Sequence, residues 1–268
     1  ILDKMIKIII LILAITTIFS TGVASINSDE IYSFKQIFPS GSGLVFLVAF
    51  MGWMPAPLDI SIWHSIWTLE KKKSQKITAK ESIFDFNVGY LATVILGICF
   101  VSLGALVMYN SGTSFSNSGS IFAGQLIELY TSNLGDSFYI IISICAFTTM
   151  LSTTITCLDA SPRTMSRATQ LLTKNNDKNY YFHWISALAI GTMLIFYFLL
   201  SEMGALVELA TVLSFITAPF YAILNYKLIM SDNMPKSHKP SKNLRILSII
   251  GIFFLSFFAL GYILTRFI

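Results

Sequence analysis

Residues Leu44–Trp67 read Leu-Val-Phe-Leu-Val-Ala-Phe-Met-Gly-Trp-Met-Pro-Ala-Pro-Leu-Asp-Ile-Ser-Ile-Trp-His-Ser-Ile-Trp. A helix crosses the hydrocarbon core of a bilayer in about 20 mostly apolar residues, and this stretch meets that length. Its middle cannot be regular helix. Pro55 and Pro57 each remove a backbone donor and disfavour helix in the residue before them. Two prolines two residues apart, beside Gly52, predict an unwound segment over Gly52–Pro57 and not a simple kink. Free carbonyls at membrane depth are tolerated only where they face protein or a wet cavity. The break is therefore the first place to look for function.

The rest of the chain agrees with a membrane setting. Of 268 residues, 54% are hydrophobic and 12% charged, and the mean hydropathy is +0.71. Soluble domains carry about 25% charged residues, so this composition cannot cover a water-exposed globule. Apolar runs at Met5–Ile26, Leu44–Leu69, Phe86–Met108, Ser137–Leu158, Tyr181–Leu200, Met203–Leu228 and Leu247–Phe267 predict seven spans in one transmembrane domain over residues 1–268. The first run is too long for the core of a signal peptide, which takes about 7–15 residues. With Ile1 first, the chain is expected to lack the N-terminal portion of its protein.

Sixteen of the eighteen basic residues lie in alternate loops: Lys4 and Lys7, Lys71–Lys80, Arg163–Lys178, and Lys227–Arg245. That alternation obeys the positive-inside rule and puts those loops in the cytoplasm. It also accounts for the net charge of +4 without a nucleic-acid partner. The outer loops Asn27–Ser42 and Asn110–Ser120 are polar. Ile121–Tyr130 is apolar at helical spacing and is expected to lie at the outer interface, with Asp136 capping the following span. The expected location is a multi-pass position in a bacterial-type inner or plasma membrane. Cys99, Cys145 and Cys157 sit singly in apolar runs, so neither zinc nor disulfides are expected.

Several side chains could carry chemistry. Met51 and Met54 flank the break; thioethers suit soft transition metals over calcium or magnesium, and they also serve as flexible packing. Asp59 follows Pro57 within the span, and His64 lies five residues on. Ionisable groups at that depth are candidates for a proton path. Glu208, Thr211, Ser214 and Thr217 recur at steps of three before Pro219, with Asn225 beyond. This stripe is expected to face the bundle interior. The fourth span holds seven hydroxyl residues between Thr148 and Ser161, and Asp159 and Arg163 are one turn apart and suited to pair. No nucleophile elbow, His-Glu-x-x-His or phosphate-binding glycine loop is present, so no enzyme and no cofactor are expected.

Met54-Pro55, after an apolar half-helix, resembles the sixth helix of the Nramp family of proton-coupled divalent-metal transporters. That family carries Met-Pro-His there, with the methionine sulfur on the metal. Ser152-Thr-Thr-Ile-Thr156 is similar to the Ser-Ser-Thr-Ile-Thr of its eighth helix, and Val212-Leu-Ser214 with Pro219-Phe220 to its tenth. The resemblance covers the whole chain, in order. It implies an all-α membrane protein corresponding to helices five to eleven of a LeuT-type inverted-repeat fold. It further implies secondary active transport of manganese- or iron-class ions with protons, by alternating access around the broken helix. It assigns Met54 as sulfur ligand and the Met51 backbone carbonyl as its neighbour. Ala56 stands where the family has histidine, and Ser61 where it has a second one. The family's Asp-Pro-Gly-x-Asn motif belongs to its first helix, outside this chain, so the partners expected are a metal ion, protons, lipid and the missing N-terminal helices. Two other readings compete: a transporter of small organic solutes on the same fold, and a non-transporting receptor or scaffold.

Overall fold

The computed structural model describes residues 2–27, 37–54, 56–74, 76–109, 116, 118–175, 177–199 and 202–267, without the side chains of 2–6, 42, 74 and 265–267. Pro55 and most of the two expected outer loops lie outside those residues. The described chain is α-helical, with no strand among the described residues. The helices are α1 (Leu2–Ile26), α2 (Ser42–Trp53), α3 (Ile60–Ser74), α4 (Ala79–Leu103), α5 (Gly119–Leu134), α6 (Tyr139–Thr173), α7 (Tyr181–Leu199), α8 (Met203–Met230) and α9 (Lys242–Phe267). A π-helical stretch, Gly104–Met108, extends α4.

Six of these, α1, α4 and α6–α9, are long and apolar enough to cross a membrane. The expected second span is instead made of two pieces. At 1.5 Å per residue, α2 and α3 run about 18 and 22 Å, each short of a 30 Å core. Large apolar side chains point outward throughout. In α7 none of the residues is buried, and Phe182, Met193 and Tyr197 are largely exposed, as a lipid-facing helix requires.

The chain forms two compact units: residues 1–35 with 62–205, and residues 36–61 with 206–268. The first unit has its core at Ala24, Leu103, Leu129, Tyr130 and Ile142. The second is centred on Val48, Phe215, Ala259 and Tyr262, with Met51 packed against them.

Ile121–Tyr130 lies in α5, whose C-terminal turn packs inward, with Leu129, Tyr130 and Thr131 buried. One expectation needs correction: Asp136 does not cap α6; it opens a 3-10 turn, Asp136–Phe138, and Phe138 precedes α6 without a side-chain cap. α6 runs beyond its apolar run to Thr173, through Pro162, 35 residues in all, and so includes both Asp159 and Arg163.

The buried Tyr130 hydroxyl meets Thr17 Oγ1 at 2.9 Å, and Thr17 donates its own hydrogen to the Leu13 carbonyl at 2.7 Å. Tyr130 is therefore the donor of the pair. Tyr130→Phe is expected to cost about 1 kcal/mol, since interhelical bonds in membranes contribute roughly 0.6–1.7. Melting of the detergent-solubilised protein checks this, and an unshifted midpoint would mean the bond contributes nothing.

Candidate functional site

The break is set by the backbone. Met54 makes the last helical bond of α2, its N–H donating to the Phe50 carbonyl at 2.9 Å, and then turns extended (φ −108°, ψ 127°). The next i→i−4 donors would be residues 55 and 57 in alternation, and both are proline. The carbonyls of Met51 and Trp53 therefore lose their helical partners by covalent structure alone. The helix restarts as the N–H of Ile60 reaches the Pro57 carbonyl and that of Ser61 reaches Leu58, both at 3.2 Å.

One continuous helix braces both sides of the gap. Gly52 lies directly on α8: a Cβ there would overlap the Thr211 carbonyl oxygen and sit 2.9 Å from its carbon and 3.2 Å from the Phe215 nitrogen. The Trp53 indole N–H donates to Ser214 Oγ at 3.1 Å. Eleven residues further along α8, Asn225 Nδ2 donates to Ser61 Oγ at 3.0 Å, and Ser61 donates to the Leu58 carbonyl at 2.8 Å. Those eleven residues measure about 16 Å along the axis. Trp53 and Ser61, on either side of the break, are thus both tied to α8, at points that flank Pro219.

The expected residues distribute unevenly around it. Met54 is half-buried at the end of α2. Met51 sends its side chain into the core with Val48 and Phe215, which leaves its carbonyl as the group to consider. Ala56 and Pro57 are irregular and half-buried, and Asp59 is half-buried in the turn before Ile60. Asp59 has no hydrogen-bond or ion-pair partner among the described residues. His64 lies on α3 with its ring edge-on to Phe86 of α4, centroids 5.7 Å apart. Thr211 is buried, and its hydroxyl donates within its own helix toward the carbonyls of Val207 (2.7 Å) and Glu208 (2.9 Å). Its contribution here is the close backbone contact with Gly52.

The polar stripe of α8 does not form one face. Thr211 is buried and Ser214 half-buried, whereas Glu208 and Thr217 are exposed in this chain. A step of three residues falls short of a full turn by about 60°, so Glu208 and Thr217 end about 180° apart. In α6, likewise, Thr153 and Thr154 return their hydroxyls to the carbonyls of Thr149 and Met150, both at 2.9 Å.

At the basic end of α6, Arg163 Nε donates to Asp159 at 2.7 Å, the one-turn pair that the spacing anticipates. The indole N–H of Trp67 (3.2 Å) and the Tyr181 hydroxyl (3.4 Å) donate to the same carboxylate. The last two were missed. Trp67 closes the apolar stretch of its span, and its partner lies 92 positions away, beyond any local spacing signal. Among the described residues no three His, Cys, Asp or Glu side chains cluster as a metal site would.

Six helices long and apolar enough to cross a membrane define a multi-pass α-helical membrane protein. The chain belongs to the Nramp family: the family model described as natural resistance-associated macrophage protein-like matches residues 1–265. It is 33% identical over 269 residues to an uncharacterized protein of Pasteurella multocida (strain Pm70). That match covers 98% of this chain and 61% of the relative, so the chain spans less than two thirds of the relative's length. No solved structure matches.

Proposed function

We propose that this chain forms one side of a pathway for divalent transition-metal ions in a secondary active transporter. The observation that carries the reading is the end of α2. There a half-buried thioether, Met54, adjoins a backbone whose Met51 and Trp53 carbonyls have no helical donor. A sulfur beside carbonyl oxygens suits a borderline or soft cation and serves calcium or magnesium poorly. Membership of the Nramp family and the position of the break within an apolar crossing support the same assignment. In this reading the other ligands come from helices that precede the chain in the whole protein. Alternating access works by movement of one repeat around the fixed break. Asp59, half-buried and without a partner among the described residues, is the first candidate for a coupled proton; His64 and Glu208 are alternatives.

Uptake of isotopic manganese or iron by the full-length protein in proteoliposomes tests this. Loss of an outer-shell partner of a metal already costs 10–100-fold, so Met54→Ala, which removes a direct donor, is expected to lower uptake by at least about tenfold. Met51→Ala keeps the carbonyl and is expected to retain uptake, discounted for its packing loss. Cadmium competes and magnesium does not. Uptake by Met54→Ala equal to that of the parent protein removes Met54 from the site. Competition by amino acids in place of metals favours an organic solute.

A further inference from the structure

The C-terminal half of α3 and the start of α4 enclose an open cavity of about 700 Å³. Lys71 of α3, Lys76 of the connecting loop and Lys80 of α4 converge on it, together with His64. Two carboxylates, Glu81 and Asp85, also line it. Glu81 also caps α4, accepting from the Thr78 N–H at 2.9 Å and from the Thr78 hydroxyl at 2.8 Å. Among the described residues neither Lys76 nor Lys80 forms an ion pair. Lys71, Lys76 and Lys80 stand against Glu81 and Asp85, so the lining carries one more positive than negative charge.

The wall of this cavity is not that of a site for a soluble anion. Phe84 lines it and is 71% exposed. From there Ile83, Val88 and Leu91 continue an exposed apolar surface up α4, a helix of spanning length. The loop charges put this end of α3 and α4 on the cytoplasmic side. A cationic recess opening onto a lipid-facing wall, at headgroup level on that side, matches a ligand that is anionic at one end and apolar at the other. Inorganic phosphate would satisfy the lysines and leave the wall unused.

We propose that this cavity binds the phosphate-bearing headgroup of an anionic phospholipid, with its acyl chains along the exposed face of α4. The lipid would bridge α3, the second half of the broken crossing, to α4 through charges drawn from both.

Native mass spectrometry of the full-length protein in mild detergent tests this with dioleoyl phosphatidylglycerol against dioleoyl phosphatidylcholine. Phosphatidylglycerol is expected to stay bound under conditions that strip phosphatidylcholine. Each lysine near a membrane surface contributes appreciably, so the triple variant K71Q/K76Q/K80Q is expected to bind phosphatidylglycerol at least about tenfold more weakly. A control, K227Q/K236Q/K242Q, removes the same charge elsewhere and is expected to leave binding within about twofold. Lys76→Glu alters only the loop, serves if the triple variant does not fold, and is expected to weaken binding about threefold. Equal retention of the two lipids, or equal loss in both triple variants, overturns the site. Displacement of the lipid by millimolar inorganic phosphate makes it a free-anion site and overturns the lipid assignment.

Discussion

Gly52→Ala is expected to destabilise the protein by about 2–3 kcal/mol, the range for forcing an extra carbon into a filled contact. A Cβ at Gly52 meets the carbonyl oxygen and carbon of Thr211 and the nitrogen of Phe215. All three are backbone atoms of α8, so no side chain can swing aside to admit the methyl group. Either α2 or α8 must shift, and with it the Trp53–Ser214 hydrogen bond that fixes the near side of the break. Uptake by the full-length protein is expected to fall along with stability. Gly89→Ala and Gly251→Ala are the controls, because a Cβ at either position meets nothing within 4 Å. Surface-like changes of that kind alter stability by roughly 0.5 kcal/mol or less. A Gly52→Ala melting midpoint equal to those of the controls would remove the close α2–α8 contact from this account.

Gly52 also shows what the sequence conceals. Beside two prolines it reads as part of the unwinding, yet it is regular helix, and its missing side chain serves a neighbour about 160 residues away. Proline acts through its own covalent chemistry, so the position of the break was legible from Pro55 and Pro57 alone. That the chain is built of long apolar helices was legible too, because bilayer thickness sets the length of an apolar run, and six helices of spanning length are present among the described residues. Helix ends outside the bilayer were not. α6 passes the end of its apolar run at Leu158 by fifteen residues and continues through Pro162, a residue that by itself signals a helix break.

The placement of the candidate residues was legible in part. Met54 and Asp59 were identified by local chemistry, and the structure puts both at the break. The braces from Ser214 and Asn225 were not identified as such, because they depend on the rotation of α8 about its axis. A stripe at steps of three looks like one face on paper but drifts around the helix, so Glu208 and Thr217 diverge while Thr211 and Ser214 stay on the α2 side. His64 illustrates the same limit. Its depth suggested a place on a proton path, and it stands against Phe86 at the edge of a lysine-rich cavity.

Phe215→Ala is expected to cost about 2–4 kcal/mol, near or slightly below the 3–5 kcal/mol for large-to-small changes in soluble cores. Phe215 is fully buried, and Val48 of α2 and Ala259 and Tyr262 of α9 form the rest of that core. The reduction has a physical reason. Separated spans remain dissolved in lipid, which solvates an apolar side chain about as well as protein does. What truncation removes is contact: the dispersion energy of a filled ring position and the stability of a helix junction without a void. Phe220, five residues along the same helix, is 67% exposed, and its truncation is expected to change stability by about 0.5 kcal/mol or less. Thermal melting of the two variants in one detergent separates contact from hydrophobicity, since both lose the same ring. Phe215→Ala should also loosen the α8 strut at the level of Thr211 and Ser214, and so lower uptake even below the melting temperature. Equal melting shifts for the two variants would mean that α8 does not pack at Phe215, and the brace on the broken helix would go with it.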